Sequence, residues 1–227
     1  DTYSSELSNP PKAIECYQES LKIAEEMGNK KSQARILRKS GYIYFEMFQF
    51  SIAEQYYEKA LLLQKEIKDA HEQLRLLEEM MGICFFLNKI PKMLFYYEQV
   101  QQIIEKSKPK EFENFQESSC FLAAIAYGKL LDFPNALKCL DQVIAANKKF
   151  KIQAILAKAI IYTSLGDYSK SFEYCRQANT LAQDAPDKKT IEAMNLYLLA
   201  RFYGELGDYS KSLLYCQKLE SFLNKFK

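Results

Sequence analysis

An eleven-residue stretch occurs twice in this chain. Leu165-Gly-Asp-Tyr-Ser-Lys-Ser-Phe-Glu-Tyr-Cys175 returns as Leu206-Gly-Asp-Tyr-Ser-Lys-Ser-Leu-Leu-Tyr-Cys216. Self-similarity at a spacing of about 20–50 residues marks a stack of supersecondary units. Each unit then buries its apolar face against its neighbours rather than in one central core. Each copy reads as the end of one helix, a turn at Gly-Asp, and a second helix opened by an aromatic.

The same grammar runs along the chain. Pro10-Pro11 opens a helix, because proline suits a first turn where its missing N–H costs nothing. Ala13, Tyr17, Leu21 and Ala24 follow at helical spacing, and Gly28-Asn29 stops it. A helix from about 30 to 47 carries Ile36, Leu37, Gly41, Tyr44 and Phe45, and another runs from about 50 to 67. There Ala53, Tyr57, Ala60 and Leu61 repeat the pattern of Ala13, Tyr17, Ser20 and Leu21 one unit later. Ala53 and Ala60 are therefore expected to face neighbouring helices. The third unit holds Leu74, Leu77, Met81, Cys84 and Phe85, then Asn88-Lys89, then Met93, Tyr97 and Val100. Met93 stands where the other units have a small residue, which implies looser or rearranged packing. Later units carry Ala124/Tyr127, Ala159/Tyr162 and Ala200/Tyr203, each followed nine residues after the tyrosine by Ala136, Ser171 and Ser212.

This reading predicts about eleven helices and no sheet, in a single stack of units at 1–29 (partial), 30–69, 70–109, 110–148, 149–186 and 187–227. The chain starts without Met and inside a unit, so it reads as a piece of a longer polypeptide. The last helix, from about 209 to 226, carries Leu213, Cys216, Leu219, Leu223 and Phe226. That stripe is wider than one neighbouring helix can cover, and the helix is expected to be covered by another segment or chain.

Composition excludes several classes of function. The net charge is +2 with both signs interleaved, which gives no basic field for nucleic acid. No run of about eighteen apolar residues is present to span a membrane. The six cysteines have no CxxC spacing and fall inside apolar helical patterns, as small buried hydrophobes of a reducing cytosol do. The single histidine, His71, has no cysteine at ligand spacing, and no metal or cofactor is expected. No phosphate loop, nucleophile elbow or metalloprotease motif appears, so no catalytic residue is assigned and the chain is not expected to be an enzyme. Glu25-Glu26 and Glu78-Glu79 read as solvated charges, as does His71. Lys148-Lys149 with Lys151 reads as the exposed start of a helix.

The pattern resembles the tetratricopeptide repeat family. The closest units are Gly41-Tyr-Ile-Tyr44 with Ala53, Tyr57 and Ala60, and Ala159-Ile-Ile-Tyr162 with Leu165-Gly-Asp-Tyr168, Ser171 and Ala178. The spacing is the long one, longer than the commonest form of the repeat. With Leu21-Lys-Ile-Ala-Glu-Glu-Met-Gly-Asn29 between units, it is similar to repeats in kinesin light chains, spindle-orientation adaptors, bacterial peptide-sensing regulators and ciliary scaffolds. The early aromatic of the first helix is missing, and Met93, Cys175 and Cys216 replace pattern residues. The resemblance implies an all-α, right-handed superhelical α-solenoid of antiparallel helix pairs in the cytoplasm, with a cytoskeletal or ciliary setting among those it suggests.

It also implies a concave groove lined by the first helix of each unit. Carried onto this sequence, the groove positions are Arg35, Arg38, Tyr42, Arg75, Glu78, Phe85, Phe121, Ile125, Lys129, Gln153, Met194, Tyr197 and Arg201. Its N-terminal part is rich in arginine, which binds carboxylates in a fork geometry, so an acidic or phosphorylated peptide would suit it. The carboxylate clamp of chaperone-binding members is not matched, because Lys39 and Ser40 stand where an asparagine would help. The implied function is a scaffold or adaptor module that binds a peptide or partner protein. The alternative is a sensor or regulatory segment of a larger enzyme or transcription regulator.

Overall fold

A computed structural model describes residues 9–107, 109–146, 149–181 and 188–225. These hold eleven α-helices and no strand: α1 (Pro10–Glu26), α2 (Lys30–Glu46), α3 (Phe50–Ile67), α4 (Ala70–Phe86), α5 (Ile90–Lys106), α6 (Glu113–Lys129), α7 (Phe133–Ala146), α8 (Lys151–Ser164), α9 (Tyr168–Leu181), α10 (Lys188–Glu205) and α11 (Tyr209–Asn224). A short 3-10 turn, Pro109–Phe112, precedes α6. The chain divides into two compact units, residues 1–130 and 131–227.

One turn design recurs among the described residues. Three residues separate most consecutive helices, and the middle one takes a left-handed backbone. Gly28, Gly166 and Gly207 do so at φ 63°, 76° and 77°. Glycine has no Cβ to clash there. Phe48, Lys68, Asn88 and Leu131 adopt the same conformation without that freedom, at φ 59°, 62°, 54° and 60°. Each such side chain costs about 1–2 kcal/mol of local strain. The third turn residue closes the loop by donating its N–H to a carbonyl five residues back, as in Asn29 to Ala24 (2.9 Å), Gln49 to Tyr44 (2.8 Å) and Asp167 to Tyr162 (2.9 Å). Asn29, Asp69 and Asp208 then cap the next helix, accepting from the N–H groups of Ser32, Glu72 and Lys211 at 3.0–3.1 Å.

Small residues set the close approaches. Ala53, Ala60, Ala136, Ala159 and Ala178 are fully buried. Tyr44 lies flat on Tyr56 (ring centroids 5.2 Å apart), Tyr162 on Tyr174 (5.5 Å) and Tyr203 on Tyr215 (5.4 Å). Each pair joins the two helices of one hairpin across a twelve-residue offset. The repeat is visible in hydrogen bonds too. The Gln33 amide donates to the Ala24 carbonyl at 3.0 Å, and one unit later Gln73 donates to Gln64 at 3.0 Å.

Three sequence expectations need correction. Of the looser or rearranged packing expected at Met93, the looser alternative fails: Met93 is fully buried in the core of the first unit, where its flexible thioether fills the space. Cys16 and Cys216 are exposed, because they sit on helix faces that no other described helix covers, while the other four cysteines are buried. Glu79 is not a solvated charge, since α4 turns it toward α2, as described next.

Candidate functional site

In the first unit, α2 and α4 each open a hairpin and α6 follows one repeat later, and side chains one repeat apart meet across these helices. Arg38 on α2 donates from Nη1 to Oε1 of Glu79 on α4 at 2.9 Å, and its Nε lies 3.6 Å from Glu72. Arg75 reaches the same Glu72 at 3.3 Å. Glu79 is only 26% exposed. Burial holds its carboxyl above the usual range, partly offset by the Arg38 charge. Burial also pushes up the Tyr57 phenol on α3, and the nearby Glu79 carboxylate adds to that shift. Further along, the Ser118 hydroxyl of α6 donates to the carboxylate of Glu78 on α4. Lys129 of α6 lies over the Phe85 ring, 4.6 Å from its centroid, and donates to Asn88 at 3.4 Å.

The expected groove residues of this unit thus fall into two groups. Arg38, Arg75, Glu78, Phe85 and Lys129 each take part in one of these separate contacts. Arg35 is exposed on α2, and Tyr42, Phe121 and Ile125 are half-buried on α2 and α6. In the second unit Gln153 is half-buried on α8, and Met194 and Tyr197 are exposed on α10. There Arg201 reaches only Glu205 of its own helix, at 4.0 Å. Sequence reasoning missed Glu72, Glu79 and Ser118. The signal was available as charge and hydrogen-bond partners one repeat apart: Arg38 with Glu79, and Glu78 with Ser118.

Aromatic rings gather where α2 and α4 end. Phe50 stacks on Phe86 at 4.8 Å and 4°, Phe45 meets both edge-on, and Phe48 meets Phe50 edge-on at 6.0 Å. On the second helices, Glu54 is buried between Lys89 (2.7 Å) and Lys92 (2.8 Å). Burial alone would raise its carboxyl, but the hydrogen bonds and charges of the two lysines together hold it below the usual range.

Among the described residues no group of three or more His, Cys, Asp or Glu is placed to hold a metal, and no helix is long and apolar enough to cross a membrane. Burial raises the thiols of Cys84 and Cys175 to about 11, so at neutral pH they stay protonated and poorly nucleophilic. His71 is exposed, with its ring edge-on to Phe115 at 5.2 Å. Lys149 is exposed beside Phe150, while Lys148 lies outside the described residues.

No curated protein sequence matches the chain. Several solved structures share its fold. BtubC (BKLC) from P. vanneervenii matches with a TM-score of 0.76 at 13% identity, over 94% of this chain and 90% of that one. The apo form of RapI matches with a TM-score of 0.76 at 16% identity, over 98% of this chain and 71% of that one. A Rap protein complexed with competence and sporulation factor matches with a TM-score of 0.59 at 16% identity, over 99% of this chain and 72% of that one. At these identities the likeness concerns the fold alone, an all-α fold of the solenoid class. The family description "tetratricopeptide repeat" matches residues 3–66, which reach into the first unit, and residues 152–184 in the second. With matches in both units and one hairpin grammar along its helices, the chain carries tetratricopeptide repeats.

Proposed function

We propose that the face formed by α2, α4 and α6 binds an extended segment of a partner protein, and that the chain serves as an interaction scaffold. The observation that carries this reading is the row of polar and aromatic side chains from three successive first helices, arranged side by side with no chemistry among them. A similarly folded Rap protein is complexed with competence and sporulation factor, which supports binding to a factor of this kind.

The charges on this face narrow what it would take. Arg38 and Arg75 are engaged with Glu72 and Glu79. Of the other cations expected on this face, Arg35 of α2 and Lys129 of α6 are exposed, and Phe85 of α4 and Phe121 and Ile125 of α6 are half-buried. That favours a segment with large apolar side chains flanked by carboxylates, rather than a uniformly acidic one. Selection from a random peptide library on the 227-residue chain tests this. Enrichment of apolar sequences bearing Asp or Glu is expected, with affinity that falls as salt rises and drops further in Arg35→Glu and Lys129→Glu chains. Selected peptides that bind equally well to both variants would remove the proposal.

A further inference from the structure

The last residues of α2, α4 and α6 are Glu46, Phe86 and Lys129. A carboxylate, an aromatic ring and an ammonium thus follow one another across three helices one repeat apart, and all three residues are exposed. Side chains tie these helix ends into one rim of the first unit. Phe45 meets Phe86 edge-on at 5.8 Å, and Lys129 reaches Asn88, in the turn after α4, at 3.4 Å. Two neighbours on the rim break local rules. Glu46 is a carboxylate at a helix C-terminus, where the helix dipole favours cations. Among the described residues no cation pairs with it. Phe48 holds its left-handed backbone while 80% exposed. The same place in later turns is filled by Asn88, Leu131, Gly166 and Gly207, so the turn does not require a ring. Local choices that cost stability without a return in packing point to function. The aromatic cluster also shows what it takes. At its α6 side Lys129 already lies on the face of Phe85. At the Phe48 side the nearby Lys89 is committed to Glu54 at 2.7 Å.

We propose that the partner's segment crosses this rim in extended form and with a fixed polarity: Lys or Arg at Glu46 and Phe48, an apolar side chain on Phe86, and Asp or Glu at Lys129. The proposal rests on the scaffold reading and adds to it a cation and its distance from the carboxylate. Glu46 supplies the opposite charge for that cation, and the exposed Phe48 ring supplies a face for it. Two helix-to-helix steps of about 8–10 Å are spanned by about five or six extended residues. Arg35 lies toward the other end of α2, about 16 Å from Glu46 along the axis. A carboxylate bound there belongs to a different part of the segment.

The test begins with random peptides of about twelve residues, long enough to span the rim, selected on the full chain. Enriched sequences are expected to carry Lys or Arg about five or six residues from Asp or Glu, with apolar residues between. The strongest binder is then made with its basic residue intact or changed to Gln. Fluorescence anisotropy gives the affinity of both peptides for the parent, Glu46→Gln and Phe48→Gly chains. Glu46→Gln should weaken the intact peptide by about threefold to tenfold. The Gln peptide should lose as much on the parent chain and nothing further on the Glu46→Gln chain, as two groups in direct contact do. Phe48→Gly keeps the turn conformation and should also weaken the intact peptide. Both positions are exposed, and circular dichroism checks that the fold is kept. Binders with carboxylates but no basic residue, or losses that simply add, would overturn the rim contact and leave the scaffold reading standing. A chain that enriches no peptide would overturn both.

Discussion

Gly41 of α2 lies against the ring of Tyr57 of α3. A Cβ at position 41 would come within 2.6 Å of two ring carbons and 3.3 Å of the Ala53 carbonyl oxygen. Tyr57 is itself buried and has nowhere to retreat. Gly41→Ala should gain about 1 kcal/mol of helix propensity and lose more through overpacking. A net loss of about 1–2 kcal/mol is expected in urea unfolding. Adding Tyr57→Leu should recover part of the loss, since it clears the ring from the new methyl. A Gly41→Ala chain as stable as the parent would refute this contact.

The Arg38–Glu79 pair makes a second prediction. Arg38→Ala leaves the half-buried Glu79 without its main counter-charge, and a loss of about 1–3 kcal/mol is expected. Glu79→Gln in that background should restore part of it. The pH dependence has a definite sign. The folded-state pKa of Glu79 lies above its unfolded value, so the folded chain holds this proton longer. Stability from this group therefore falls as pH rises from the unfolded carboxyl pKa through the folded one. Arg38→Ala should extend that fall to higher pH, and Glu79→Gln should remove it, as denaturant titrations across the mildly acidic range would show.

Glu54 behaves in the opposite way. Its folded pKa is lowered, because against burial, the largest single effect, the hydrogen bonds and charges of Lys89 and Lys92 together prevail. Its contribution is present above the unfolded carboxyl pKa and is lost as pH falls through the folded value. Glu54→Gln should cost about 1–3 kcal/mol at neutral pH and flatten the acid limb of the stability profile. An unchanged acid limb would count against this assignment.

Leu131 offers a stabilising change. It holds a left-handed backbone at φ 60°, and the residue is 72% exposed. Leu131→Gly relieves the clash of its Cβ and removes little packing. A gain of about 0.5–1 kcal/mol is expected, read as a higher melting temperature. A lower melting temperature would show that the leucine is held by contacts rather than merely tolerated.

Much of the fold was legible because a repeat states its rule several times. Pro10-Pro11, Gly28-Asn29 and the two Leu-Gly-Asp-Tyr stretches mark helix ends within a residue or so. Ala53 and Ala60 are buried as their spacing requires. Phe48 and Leu131 were harder to read, since nothing in an apolar side chain announces a left-handed turn. Only their place in the repeat does. The site was less legible than the fold. The row of first helices could be named from the pattern, but which charges cancel depends on side chains meeting between helices. Glu78 and Glu79 show why. Adjacent on α4, they turn about 100° apart. One meets Ser118 of α6 and the other Arg38 of α2.

The stacked tyrosines make the chain its own spectroscopic probe. The sequence has no tryptophan, so its near-ultraviolet signal comes mainly from phenol rings. Of the three parallel pairs described, Tyr44–Tyr56 lies in the first unit, and Tyr162–Tyr174 and Tyr203–Tyr215 lie in the second. Rings held face to face couple their transitions, and that coupling ends when a hairpin opens. Near-ultraviolet circular dichroism therefore weighs the two units unequally, whereas the far-ultraviolet helix signal counts every turn alike. If the units melt at different temperatures, the two spectra should trace different curves without any label attached.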